Sequence, residues 1–455
     1  MAFLDDHYLL SSDTARGLFA AVKDLPIIDA HNHADVKVIA EDRPFTDIWE
    51  AEAATDHYVW EMLRKRGVPE EYITGGALNH EKWLALSRVF EELAGSPTYE
   101  WVHLDLRRRF GIDELISGAS GKRIWDRCQA EFARPERRPQ ALLAAMKVER
   151  MCSTDDPFDT LEHHLALAGG PLQGVVRPTF RPDRAVNVFK KDWPEYIRRI
   201  EQQTGAKLSH VNDLLDVLRA RHDFFARAGC VASDHGMEVP FAHDCSAADA
   251  DAVFRKARAG AVLTHEETVT YMSHLTQELG EMDARKGWVF QLHLGAVRDV
   301  RTSLLRDIGP DSGGDVSNHL TAVVTPLRDF LNRFDDRLQV VLYVMESGHQ
   351  ATLATLARAF GAKVSLGAAW WMNDSPIGMK RQLEYIGSVD LLWNFAGMVS
   401  DSRKLLSYSS RHEMFRRVLC DVVGGLVERG QMPVKLAERL VAHLCYARPK
   451  ELFGF

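Results

Sequence analysis

His31-Asn32-His33 carries two imidazoles spaced so that an extended chain would turn both to one side, because residues i and i+2 of a strand share a face. Imidazole suits zinc, manganese, iron or nickel. The pair closes the apolar run Leu25-Pro26-Ile27-Ile28-Asp29-Ala30, which reads as a short buried strand. Far along the chain, Ser400-Asp401-Ser402-Arg403 offers a carboxylate that could complete the same ion's shell and exchange protons with a bound hydroxyl. Asp401 reads equally as a helix cap, a position that Asp favours. His293 ends another apolar run with Gly295 close behind; it is either a further ligand or a core histidine bonded to a carbonyl.

Arg177, Arg181, Arg184 and Arg403 are candidate anchors for an anionic substrate, because a guanidinium fork matches a carboxylate with two parallel hydrogen bonds. Trp370-Trp371 could wall a sugar site, although tryptophan more often simply packs. His57-Tyr58 opens a helical stretch behind Asp56. Adjacent residues do not share a helix face, so both reach one site only if that helix end faces it. Tyr58 then reads as an acid–base group, and otherwise as part of a local core. No Gly-x-x-x-x-Gly-Lys-[Ser/Thr] loop, strand-linked Gly-x-Gly-x-x-Gly or Gly-x-Ser-x-Gly elbow occurs, so neither a nucleotide cofactor nor a serine nucleophile is expected.

The elements that must position these residues have a regular order. Ser12-Asp13-Thr14 caps an opening helix through Lys23. After the first strand, residues 40–150 are dominated by helical patterns such as Asp56–Arg66 and Glu81–Leu93, which read as a helical insertion. Short apolar strands then alternate with helices: Arg150–Thr154, Gly174–Arg177, Cys230–Ser233, Trp288–His293, Gln339–Val344, Lys363–Leu366 and Trp393–Met398. With the first strand they make eight parallel βαβ-type units, which predicts a (β/α)8 TIM barrel built from residues 1–39 and 151–455, with 40–150 inserted after strand one. Polar clusters fall at the strand ends: His31 and His33, Asp155 and Asp156, Arg177, Asp234 and His235, His293, Glu346, Trp370 and Trp371, Asp401 and Arg403. Barrel active sites lie at those C-terminal ends.

The 455 residues are 46% hydrophobic and 26% charged, an ordinary globular composition that can bury a large core without crosslinks. A net charge of −8 argues against nucleic acid or an anionic membrane as partner, but not against a small anion met by local arginines. Six scattered cysteines without a Cys-x-x-Cys pair suit a reducing compartment. The acidic opening Met1–Asp6 gives no sign of a signal peptide and no apolar run spans a bilayer, so a cytoplasmic homo-oligomer is expected.

Taken in order, these motifs resemble the uronate (glucuronate) isomerase family of the amidohydrolase superfamily. The resemblance rests on Asp29-Ala30-His31-Asn32-His33, Asp56-His57-Tyr58, His103-Leu104-Asp105-Leu106-Arg107-Arg108, Thr154-Asp155-Asp156-Pro157, Arg181-Pro182-Asp183-Arg184, Ser233-Asp234-His235, Gln291-Leu292-His293-Leu294-Gly295, Trp370-Trp371-Met372-Asn373-Asp374, Asp401-Ser402-Arg403 and Arg411-His412-Glu413. The chain departs from that family's pattern at Ala34-Asp35, Met345–His349 and Ser409-Ser410. The resemblance implies an amidohydrolase-type barrel with one divalent metal ion, zinc first, held by His31, His33 and Asp401, with His293 at or near it. It implies a substrate-handling set of His57, Tyr58, Trp370 and Arg403, with Arg177, Arg184 and Arg411 as further substrate contacts. The implied reaction interconverts D-glucuronate with D-fructuronate, or D-galacturonate with D-tagaturonate, through a metal-stabilised enediolate. Tyr58, activated by Arg403, is the first candidate for the base. Three alternatives remain at this point: metal-dependent hydrolysis in the same fold, isomerisation of a divergent sugar acid, and sugar-acid or metal binding without turnover.

Overall fold

The computed structural model describes residues 3–455 and is an α/β structure with parallel sheets. Its strands are β1 (Ile27–Asp29), β2 (Val148–Cys152), β3 (Val176–Arg177), β4 (Ala232–Met237), β5 (Val289–Leu294), β6 (Ala296–Val297), β7 (Val316–Ser317), β8 (Gln339–Val344) and β9 (Val364–Leu366). One parallel sheet runs β1-β2-β3 and a second runs β4-β5-β8-β9; β6 and β7 form a small antiparallel hairpin. Every residue of β5 (Val-Phe-Gln-Leu-His-Leu) is buried. Parallel strands covered on both faces read as such near-continuous apolar runs, which is why the sequence places these strands well.

Single backbone bonds link the two sheets. Phe180 N donates to Ala232 O at 3.2 Å and Phe180 O accepts from Asp234 N at 3.0 Å, continuing β3 onto β4. On the far side Ala396 N donates to Leu366 O at 2.9 Å, Asp401 N to His31 O at 3.2 Å, and His33 N to Ser402 O at 3.0 Å. The segment 395–402 therefore runs between β9 and the end of β1. The expected strand Trp393–Met398 is not formed as such: Leu392–Asn394 is a single tight turn, and the chain beyond it makes too few bonds for a ladder. The β6–β7 hairpin carried no sequence signal, being two residues on each side and partly exposed.

The opening helix α1 (Asp13–Val22) begins as expected, with Ser12 Oγ accepting from Ala15 N at 3.0 Å. Between β1 and β2 lie seven helices: α2 (Val36–Glu41), α3 (Ile48–Glu52), α4 (His57–Lys65), α5 (Asn79–Val89), α6 (Pro97–Phe110), α7 (Gly121–Phe132) and α8 (Pro139–Ala145). They share a core of Trp49, Leu63, Trp83, Phe90, Leu106 and Ile124 that runs on to Ile27, Val148 and Met151 of the first sheet. Lys404, 3% exposed, pins this layer to the segment after Asp401. Its Nζ lies 2.8 Å from Glu52, 3.4 Å from Asp56 and 3.8 Å from Asp105. Among the described residues no helix is long and apolar enough to cross a membrane.

Candidate active site

A cavity of about 580 Å3 opens over the strand ends. His31, His33, His57, Asp155, Asp156, Arg181, Arg184, His293, Arg298, Trp370, Trp371, Asp401 and Arg403 all line it. Residues separated by some 370 positions thus meet, because strand ends converge on one side of a parallel sheet.

At its floor, His31 and His33 reach the same oxygen. His31 Nε2 lies 3.1 Å and His33 Nε2 3.2 Å from Asp401 Oδ1. Asp29, wholly buried, sets this geometry by accepting from Ser400 N at 2.8 Å and Ser400 Oγ at 2.5 Å, which ties the 400–402 turn to β1. Asp401 itself has φ +50°, a left-handed conformation that Asp tolerates better than most residues and that tends to cluster at functional sites. Its other oxygen, Oδ2, accepts from Trp370 Nε1 at 3.0 Å. The two histidines lie just past the hydrogen-bonded end of β1 rather than within it, yet their side chains converge as the spacing predicts.

A second carboxylate stands behind the first group. Asp234 Oδ1 accepts from His293 Nδ1 at 2.7 Å, its Oδ2 lies 3.5 Å from His31 Nδ1, and Arg181 donates to it at 2.9 Å. Metal-binding histidines commonly give their other ring N–H to such a carboxylate, which fixes the tautomer. His293 Nε2 is buried and has no hydrogen-bond partner among the described residues. The donor atoms of His31, His33 and Asp401 lie within 4.8 Å of one another, as do those of His31, Asp234 and His293. Both groups fit a divalent ion in donor type, and the second includes His293 with its unpartnered nitrogen.

The charge balance agrees for His293, His33 and Asp401 and runs the other way for His31. Burial pushes His293 and His33 down to about 4, so both are neutral near pH 7, as metal ligands must be. Burial opposes ionisation of Asp401 too, but hydrogen bonds and charge from His31 and His33 hold it well below the usual carboxylate range. Burial likewise disfavours a charged His31, and the carboxylates of Asp234 and Asp401 outweigh it, raising its pKa.

α4 brings His57 into the cavity lining and places Tyr58 behind it, outside the lining residues. Asp56 Oδ1 accepts from Tyr58 N at 2.9 Å, so the capping expected of Asp56 and the presentation of its two neighbours are one feature. The His57 and Tyr58 rings lie 4.9 Å apart, and His57 packs 5.2 Å from Trp371. Tyr58 Oη is buried without a hydrogen-bond partner among the described residues.

Two expectations change here. Arg403 acts on His57, whose pKa burial and then Arg403 lower to about 4. The cation beside Tyr58 is instead Arg411, 1% exposed, 5.1 Å from the Tyr58 ring and 3.9 Å from Trp101, with Asp374 at 2.6 Å. Arg411 thus backs Tyr58 and does not line the cavity. Burial, then Asp401, pushes the Tyr58 phenol well above its ordinary value despite Arg411.

Arg177 also lies away from the cavity, over the Phe455 ring at 5.3 Å, because the pleat turns its side chain off the site face. His235 is buried against Ser233 at 2.8 Å and the Phe290 ring at 4.0 Å, and Glu346 bonds to Gly348 N at 3.1 Å; neither lines the cavity. Among the lining cations, Arg181 is spent on Asp183 at 2.8 Å and on Asp234, and Arg298 on Asp315 at 2.7 Å. Arg184 and Arg403 have only loose partners, Asp192 at 3.7 Å and Asp311 at 3.9 Å, which leaves their guanidinium forks available. Arg184 is set by Tyr196, whose ring lies 4.3 Å beneath it and whose Oη donates to Asp156 at 3.1 Å. The sequence singled out neither Arg298 nor the backing role of Asp234: Arg298 follows β6, too short to recognise, and the Asp234 contacts join residues far apart in the chain.

Residues 1–453 match the family described as glucuronate isomerase. The chain is 51% identical over 451 residues to a uronate isomerase of Thermotoga neapolitana, with 99% of each chain aligned. A solved uronate isomerase from Thermotoga maritima superposes with a TM-score of 0.97 at 50% identity, covering 100% of both chains. A glucuronate isomerase from Caulobacter crescentus gives a TM-score of 0.95 at 30% identity, covering 100% of this chain and 97% of the other.

Proposed function

Because this chain belongs to the glucuronate isomerase family, we propose that it interconverts D-glucuronate and D-fructuronate, and accepts D-galacturonate in the same cavity. The observation that carries the reading is one rim holding His57, Trp370 and the two loosely paired arginines, Arg184 and Arg403, above the His31–His33–Asp401 cluster. A hydrolase needs only the floor. The rim adds groups for a carboxylate and for carbon acid chemistry. The two parallel sheets and the 395–402 segment are read as one closed (β/α)8 barrel, with residues 40–150 inserted after strand one.

His31, His33 and Asp401 would hold one divalent ion, zinc being the first choice for this donor set, with His293 as a further ligand backed by Asp234. When bound, the ion supplies Lewis-acid stabilisation of the negative charge that develops on the sugar oxygens. The remaining work falls to side chains. Arg184 and Arg403 hold the C6 carboxylate, which selects uronates over neutral hexoses. His57, neutral near pH 7, takes the C2 proton at Nε2 and returns it to C1. The Tyr58 phenol, kept protonated by its surroundings, donates to the oxygen where charge builds. Asp401 moves the hydroxyl proton between O1 and O2. This moves the base first expected at Tyr58 to His57, because the Tyr58 phenol is held protonated while His57 is neutral near pH 7.

The test is ketose formation from D-glucuronate, D-galacturonate and D-glucose by the metal-loaded protein. Conversion of at least one uronate and none of glucose is expected. Metal-bound protein that converts neither uronate would refute the reading.

A further inference from the structure

Two buried polar atoms beside the cavity face each other and have no other partner among the described residues. His57 Nδ1 and Glu61 Oε1 lie 3.8 Å apart across one turn of α4, and neither makes a hydrogen bond. Unpartnered buried polar atoms are uncommon and call for an explanation. His57 lines the cavity and Glu61 does not, so Glu61 stands behind the ring and leaves Nε2 to the substrate side.

Glu61 is pressed into that place. The cation on its own helix, Arg64, is committed elsewhere, forking onto Glu70 at 2.7 Å through both Nε and Nη2 and donating to Ser312 O. Gly313, at φ +88°, packs directly on Glu61: a Cβ there would meet its Cγ at 2.7 Å. Only glycine combines that conformation with that approach, so the loop through Asp311 backs Glu61 against His57.

We infer that Glu61 is the positioning residue for His57, its carboxylate accepting from Nδ1 and thereby fixing the tautomer that presents the Nε2 lone pair to C2 of the sugar. When the C2–H bond breaks, its electron pair enters the enediolate and the proton rests on Nε2. Glu61 then faces an imidazolium and stabilises it. The proton passes to C1, and Glu61 ends as it began. The arrangement is a carboxylate behind a histidine, the usual way to hold a catalytic imidazole. It rests on the reading of His57 as the proton-transfer group.

The charge surroundings give it a pH signature. Glu61 faces His57 and Arg64 on α4, Asp56 at its cap, and Asp315 from the loop; burial and then Asp56 raise it to about 7. His57 also faces Arg403, Asp401 and Asp311. A carboxylate that must be ionised to act gives an acid limb near that value.

The experiment compares Glu61→Gln, Glu61→Asp and His57→Asn in the metal-loaded protein, reading kcat, KM and the pH profile on D-glucuronate, with thermal unfolding as a check on folding. Glu61→Gln is expected to lower kcat about 10- to 100-fold, change KM less than about 3-fold and remove the acid limb near pH 7. Glu61→Asp restores part of kcat. A folded Glu61→Gln protein with near-normal kcat and an unchanged profile, alongside an inactive His57→Asn, overturns this inference alone. A near-normal His57→Asn protein overturns the role given to His57 and this inference with it.

Discussion

Trp370 donates its indole N–H to the carboxylate oxygen of Asp401 that His31 and His33 leave free, at 3.0 Å. One oxygen of Asp401 therefore faces the two histidines proposed as metal ligands and the other is held by the cavity wall. This division would let one carboxylate serve the proposed ion while its orientation is kept.

Trp370→Phe keeps the wall and removes the donor. A hydrogen bond to a charged group contributes about 1.5–3 kcal/mol, so kcat is expected to fall about 10- to 100-fold with the metal still bound. Steady-state kinetics together with metal analysis checks this. A full loss of metal would mean that Trp370 supports the ligand set rather than the proton transfer.

The two arginines assigned to different places should fail differently. Arg411 and Asp374 are 1% and 3% exposed and pair at 2.6 Å, so Arg411→Met leaves a buried charge behind Tyr58 and should cost about 3–5 kcal/mol in denaturant unfolding. Arg403 is a quarter exposed, with its nearest carboxylate at 3.9 Å. Arg403→Met should unfold nearly as the parent does and instead raise KM for uronates about 10-fold or more.

Asp155, on the cavity wall, accepts from Ser153 Oγ at 2.8 Å and Thr179 N at 3.1 Å, yet burial raises it from 3.8 to about 7. Between those values the folded chain keeps the proton and the unfolded chain has lost it. Stability from this group is complete below the lower value and falls as pH rises through the upper one. Asp155→Asn holds a neutral side chain throughout, so it should gain in Tm relative to the parent from about pH 5 to about pH 8. A constant difference across that range would contradict the raised pKa.

The floor of the site was readable because its residues sit in short motifs at the ends of apolar strands. His31-Asn32-His33 and Ser400–Arg403 needed only the alternation of a strand and the rule that parallel strand ends converge. Arg177 and Glu346 show the limit of that rule: a position at a strand end does not say which way the pleat turns the side chain. Asp234 shows another limit, since its importance lies in contacts with His31 and His293 that no local pattern encodes. Arg403 and Arg411 depart from the partners expected of them for the same reason; eight residues apart in sequence, Arg403 lies before and Arg411 within the buried helix Ser407–Glu428, and they meet His57 and Tyr58 respectively. The segment 393–398 has a strand's composition, but its neighbours supply only one bond to Leu366, and composition cannot count partners.

Metal-dependent proton transfer at C2 is tested by incubating D-glucuronate with the protein in deuterated water. Ketose formation and deuterium at C1 and C2 are followed by NMR for the metal-loaded protein, the chelator-stripped protein and the stripped protein after zinc or manganese is restored. The account predicts ketose with the metal, loss of both signals on stripping, and recovery on restoration. Undiminished turnover by fully stripped protein, or no ketose with metal bound, would contradict it.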